Sequence, residues 1–190
     1  MMTEQETADA MRISDLFAQI LFRTLNRQVV GDVSDLQLSF AQAQALRYIW
    51  LHSNVLIGDI ASGLSISYPS ATNMVKRLER RGYATRHTNP ADRREVEVRL
   101  TSAGESLVEA MENERVTRLG ASLGSMDPED RDALMRGLRA FVTATVLQPG
   151  AIAQDICLRC GAKMTEMCPV YEALHEHQDS IVGGLSSDER

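Results

Sequence analysis

The chain has 190 residues, 44% of them hydrophobic, and a formal net charge of −6. That is enough apolar content to bury a core, which excludes a wholly disordered chain, and no run approaches the roughly 18 apolar residues of a membrane span. Three cysteines, all between positions 157 and 168, cannot staple the rest of the chain, so a soluble, cytoplasmic protein with no membrane partner is expected.

The first periodic segment places Ile13, Leu16, Phe17, Ile20 and Leu21 on one broad apolar stripe, which predicts a long first helix. Gly31 and the polar run Asp32 to Asp35 are expected to break it. Ser39-x-x-Gln42 is a capping box that opens a second helix through Ala45, Leu46, Ile49 and Trp50, ending near His52. A short third helix fits Gly58 to Leu64, and Ser65 to Ser67 separates it from a fourth. Ser67 can cap that fourth helix, and Pro69 in its first turn lacks an N–H that would find no partner there anyway.

Within the fourth helix Ala71, Met74, Val75 and Leu78 point one way, and Ser70, Asn73, Arg77 and Arg80 lie on another face. One side packs and the other is free to read a ligand. Gly82 supplies the left-handed residue that ends the helix. Tyr83 to Thr88, a turn at Asn89-Pro90-Ala91-Asp92, and the alternating run Glu95 to Leu100 then predict a β-hairpin with a basic tip. From Lys76 to Arg99 there are eight Lys or Arg against four acids, a basic centre inside an acidic chain. Such segregation points to one focused anionic partner rather than indiscriminate coating of nucleic acid.

Thr101 and the box Ser102-x-x-Glu105 open a long fifth helix, and Asp127-Pro128 opens a sixth that runs to about Leu147. The sixth carries Leu134, Leu138, Phe141, Val142 and Val146 on one stripe. Together with the first helix this is more apolar surface than a small central module needs, and a homodimer is the economical use of it. The expected fold class is mainly α, with a minor β element. Four segments follow: 1–36, an N-terminal dimerisation helix; 37–100, a winged helix-turn-helix; 101–147, C-terminal dimerisation helices; and 148–190, a Cys-rich tail.

The run IGDIASGLSISYPSATNMVKRLERRGYATRHTNPADRREVEVRLTSAGESL resembles the multiple-antibiotic-resistance regulator (MarR) family across helix, turn, recognition helix, wing and following helix. The most specific piece is NPADRR, followed by an alternating strand and LTSAG, joined to PSATNMVKRLERRGY. The resemblance covers about Gln37 to Leu107, extends to the flanking helices by pattern alone, and lapses after Leu147.

It implies a transcriptional regulator, a repressor by preference, acting as a homodimer on palindromic double-stranded DNA, and no enzymatic activity. Ser67 to Arg77 would lie in the major groove. Ser67, Tyr68, Ser70, Thr72 and Asn73 would face base edges or phosphates, and Lys76 and Arg77 would neutralise phosphates. In the wing motif Asp92-Arg93-Arg94 the acid would orient the second arginine into the minor groove, where a narrow A·T-rich tract concentrates negative potential. A turn-stabilising role for Asp92 is compatible with this. The family also implies a small-molecule effector, aromatic or phenolic, or a cysteine that oxidises. Trp50, Tyr48 and Phe40 have the chemistry to line such a pocket, but apolar residues at helical spacing are more often core, and none is assigned to it.

The tail ICLRCGAKMTEMCPVYEALHEH departs from the family. Cys157-x-x-Cys160 has a metal or redox spacing, and Cys168-Pro169 opens a short helix whose dipole favours a thiolate. The run also resembles a ferredoxin-type four-iron motif, but Lys163 stands at the third cysteine's place and four residues, not three, separate it from Cys168. Cys157, Cys160 and Cys168 therefore form a three-thiolate candidate site for zinc or an iron–sulfur cluster. His175 is a candidate fourth ligand, although seven helical residues put it about 10 Å along the axis from Cys168; Glu172 and His177 are others. A metal-free redox set and simple packing are the remaining readings of these cysteines. The competing function class is a redox or electron-transfer protein whose winged domain serves protein docking.

Overall fold

The computed structural model describes residues 2–33, 38–88, 96–148, 168–170 and 173. Its elements in chain order are α1 (Glu4–Leu21), a π-helical turn (Phe22–Arg27), α2 (Gln28–Val33), α3 (Phe40–Leu51), β1 (Val55–Leu56), α4 (Ile57–Gly63), α5 (Tyr68–Arg80), β2 (Ala84–Thr88), β3 (Val96–Leu100), α6 (Ser102–Gly124) and α7 (Pro128–Val146). The chain divides into two compact units, Met1–Gly124 and Ser125–Arg190.

In the first unit the expected long N-terminal helix is present, and Thr3 and Glu6 close a reciprocal capping box at its start. Gly31 does not break it: helix continues to Val33. A glycine costs roughly 1 kcal/mol inside a helix, and burial of its neighbours Val29 and Val30 outweighs that. The π-helical turn was not expected from the sequence. It admits one extra residue per turn and so rotates the residues that follow; Leu25, Val29 and Val30 meet the core, whereas α1 has no buried residue at all.

The core gathers α3, α4, α5 and the sheet. Leu46, Ile60, Val75, Leu78, Val98 and Val108 are all fully buried within it. Ser39 and Gln42 cap α3 as the sequence predicts. The sheet has three strands in the order β1-β3-β2, antiparallel throughout. The hairpin register pairs Ala84 with Leu100 and Thr88 with Val96, and the missed strand β1 adds Val55 opposite Val98. Two residues are too few to show the alternation that marks a strand.

The base of the hairpin is fixed twice. At the end of α5 the Tyr83 N–H donates to the Leu78 carbonyl and the Gly82 N–H to the Glu79 carbonyl, with Gly82 at a φ of 76°. This six-to-one and five-to-two pairing is a Schellman ending that needs the left-handed residue. On the other side Thr101 caps α6: the Gly104 N–H donates to Thr101 Oγ1, and that hydroxyl donates to the Gly82 carbonyl at 2.6 Å. The cap is thus Thr101 bonded to Gly104, rather than the pair Ser102 and Glu105, because the Thr101 hydroxyl has a second partner at the hairpin base.

The second unit holds α7, opened by Asp127, whose side chain accepts from the Glu129 N–H ahead of Pro128. A small cluster of Val146, Val170 and Ala173, flanked by Val142 and Cys168, packs at its C-terminal end. No helix among the described residues is long and apolar enough to cross a membrane.

Candidate nucleic-acid interface

Helices α4 and α5 are joined by a turn in which Ser65 adopts a φ of 53° and the Ile66 N–H donates to the Ala61 carbonyl. This second Schellman ending turns the chain sharply into the Ser67 cap of α5, whose hydroxyl accepts from the Ser70 N–H at 3.3 Å. Ala71, Val75 and Leu78 bury one face of α5 against α3 and α4. The opposite face is exposed along Tyr68, Ser70, Asn73, Lys76, Arg77 and Arg80. A helix seated by three fully buried side chains, each of the larger two contributing about 1.5–3 kcal/mol of apolar burial, presents its polar face as a rigid rail.

The polar side chains of that rail are not equivalent. Ser67 Oγ and Ser70 Oγ lie 2.8 Å apart and are each other's partners. Thr72 donates its hydroxyl proton to the Tyr68 carbonyl at 2.9 Å, so it retains only acceptor capacity, which no phosphate can use. Asn73, Lys76 and Arg77 have no such internal bond described and extend into an open hollow lined also by Glu79, Arg80 and Arg86. A second hollow on the other side of Arg77 and Arg80 is lined by Ser39, Gln42 and Arg81. The sequence placed Arg80 on the polar face of the helix but did not single out Arg81 and Arg86; the signal was their place in the basic stretch, and only the fold shows which hollow each borders. The wing residues Asp92, Arg93 and Arg94 lie outside the described residues.

A model of the MarR family matches residues 36–95, from just before α3 to the residue before β3. Over that segment the chain is of MarR type. Its winged helix-turn-helix is therefore that of a DNA-binding transcriptional regulator and not an enzyme domain. Among curated proteins it is similar to an uncharacterised helix-turn-helix transcriptional regulator of Bacillus subtilis, YfiV, with 29% identity over 122 residues, covering 63% of this chain and 76% of the relative. Among solved structures, a MarR family protein from Bacillus stearothermophilus superimposes with a TM-score of 0.64 at 22% identity, over 74% of this chain and 96% of that one. Streptococcus pneumoniae FabT, solved in complex with DNA, does so with a TM-score of 0.59 at 20% identity, over 70% of this chain and 94% of that one.

The expected metal or redox site is only partly visible. Cys168 is half-buried and carries a free thiol. Cys157, Cys160, Glu172, His175 and His177 lie outside the described residues. Among the described residues no three His, Cys, Asp or Glu side chains come together as a metal site.

Outside the interface, the π-helical turn, α3 and α6 enclose a small hollow lined by Leu25, Asn26, Phe40, Arg47, Met111 and Arg115, among others. Glu112 Oε1 accepts from Arg47 Nε and from Arg115 Nη1, both at 2.8 Å. Of the three aromatics considered for an effector pocket, Phe40 lines this hollow, Tyr48 is buried in the core, and Trp50 is exposed.

Proposed function

We propose that this MarR-type chain is a homodimeric repressor that binds a palindromic operator, with α5 in the major groove and the wing in the adjacent minor groove. The observation that carries this reading is the exposed row Asn73, Lys76, Arg77 and Arg80 on a helix whose other face is locked into the core. Phosphate neutralisation by such a row gives affinity, and Asn73 has the donor and acceptor that suit an adenine edge. FabT, which shares this fold, is solved in complex with DNA, and that supports DNA as the partner.

Dimerisation is supported by apolar side chains that the single chain leaves in water. Ile13 is 67% exposed, Ile20 61% and Val116 71%, and in the second unit Phe141 is 70% exposed. Two copies give paired recognition helices, which read half-sites about 10 bp apart or a multiple of that. The repressor assignment and the small-molecule effector rest on the family resemblance.

The tail is read as a metal or redox modulator of the same dimer. Cys168 packs beside Val142 and Val146 at the end of α7, so ordering Cys157, Cys160 and Cys168 around zinc or an iron–sulfur cluster would be transmitted to that helix. Coupling of this kind typically changes affinity by about 1–3 kcal/mol.

The test is selection of duplexes from a random library by the purified protein, followed by sedimentation and titration over a range of salt. A dimer on a palindromic consensus, with affinity falling steeply as salt rises, is the expected result. A monomer at micromolar concentration, or equal affinity for scrambled duplex, overturns it. For the tail, metal and acid-labile sulfide are measured on protein purified without oxygen, and Cys157→Ser, Cys160→Ser and Cys168→Ser should each lose the same metal and shift operator affinity alike.

A further inference from the structure

The hairpin that carries the wing is held at its base by Gly82, Tyr83, Thr101 and Gly104, but a two-stranded ribbon fixed only at its base is free to change pitch. Further out two ties occur at the same level. On the β3 edge, β1 pairs Val55 with Val98. On the β2 edge, Arg86, the residue opposite Val98, reaches back to α5 and donates to Glu79 Oε2 through Nε at 2.8 Å and Nη2 at 2.7 Å. Both side chains are about a third exposed. Beyond this level β2 continues only through His87 and Thr88 before residues 89–95.

Among the described residues Glu79 is also the one acid lining the hollow shared by Asn73, Lys76, Arg77, Arg80 and Arg86. In a surface whose partner is a polyanion, an acid at this place weakens binding by charge alone. Its position is explained if it serves geometry instead: it sits in the last turn of α5 and holds a strand of the wing.

We propose that Glu79 is a positioning residue for DNA binding, which through Arg86 sets the pitch of the wing hairpin against the recognition helix and so the register between major-groove and minor-groove contacts. This rests on the DNA-binding reading given above. Arg86 is held in place by the pair, and the hairpin leaves α5 at one angle instead of a range.

Charge and geometry make opposite predictions, which the experiment exploits. The probe is the duplex selected by the unaltered full-length protein, in one version with its flanks and one trimmed to the segment under α5. Glu79→Gln removes a negative charge from the interface, so charge alone predicts tighter binding to both duplexes. The positioning role predicts about threefold weaker binding to the flanked duplex, the scale of an exposed ion pair of about 0.2–1 kcal/mol, with no loss on the trimmed one. The exchanged pair Glu79→Arg with Arg86→Glu keeps net charge and restores the bridge, so it should recover most of the flank-dependent affinity, whereas Glu79→Arg alone should not. Tighter or unchanged binding of Glu79→Gln to the flanked duplex, or failure of the exchanged pair to recover it while circular dichroism and melting match the parent, overturns the proposal. Absence of any duplex binding by the unaltered protein would instead overturn the function on which it rests.

Discussion

A side chain of any size at Gly63 would run into the ring of Tyr48: a Cβ built there falls inside contact distance of three ring carbons. The close approach sets how tightly α4 sits on α3, and α4 in turn aims α5. Tyr48 is buried in the core and its ring is stacked on that of His52, with centroids 4.1 Å apart, so it has little room to give. Gly63→Ala should therefore destabilise the protein by roughly 1–3 kcal/mol, the usual cost of overpacking. Gly58, in the same helix, has nothing within 4 Å of an added Cβ, and Gly58→Ala should be neutral or stabilise by about 0.4–1 kcal/mol. Urea midpoints of the two variants decide this; equal midpoints would contradict the packing assigned to Tyr48.

Thr101, not Ser102, caps α6 and at the same time anchors the hairpin base through the Gly82 carbonyl. Thr101→Val keeps the shape and removes both bonds, which should cost about 1–2 kcal/mol. Ser102→Ala should change the melting temperature little.

Glu112 joins α3 to α6 by receiving Arg47 and Arg115 on one oxygen, and Arg115 Nε is buried with no acceptor among the described residues. Replacing the shared carboxylate by an amide leaves two half-buried guanidinium groups without their common counter-charge. Glu112→Gln should cost about 1–3 kcal/mol, whereas Glu109→Gln, exposed on the same helix, should be near neutral in thermal denaturation.

Burial raises the Tyr48 phenol above its ordinary value, and the negative charge of Asp59 raises it further. The fold thus favours the protonated phenol. Stability from this source is complete below the unfolded value of about 10, and is lost as pH rises from there through the higher folded value. Denaturation midpoints of the parent and Tyr48→Phe, compared at pH 9 and pH 11, should show the parent falling more steeply.

The exposed apolar row of α1 supplies the fifth test. Leu16→Glu, at a position with more than half its surface in water, should leave the fold of the single chain intact. In the dimer it would bury a charge without a partner, at a cost of several kcal/mol. Sedimentation should show a shift towards monomer and titration a loss of operator binding. An unchanged dimer would place the interface elsewhere.

The sequence by itself determined those elements whose signal is local. The caps at Ser39 and Ser67, the left-handed Gly82, and the alternation from Val96 to Leu100 each follow from a few adjacent residues, and each is present. The polar face of α5 was equally legible, because a helix of known phase fixes which residues share a side. Only the tertiary structure decided what depends on partners distant in the chain. Strand β1 exists because β3 offers it an edge; Thr101 is the cap because its hydroxyl also meets Gly82; and helix persists past Gly31 because Val29 and Val30 are buried by the core. The commitment of Ser67, Ser70 and Thr72 to internal bonds, and the hold of Glu79 on Arg86, lie in the same class: composition gives the charges and hydroxyls, but which of them face one another is set by how α5 and the sheet pack.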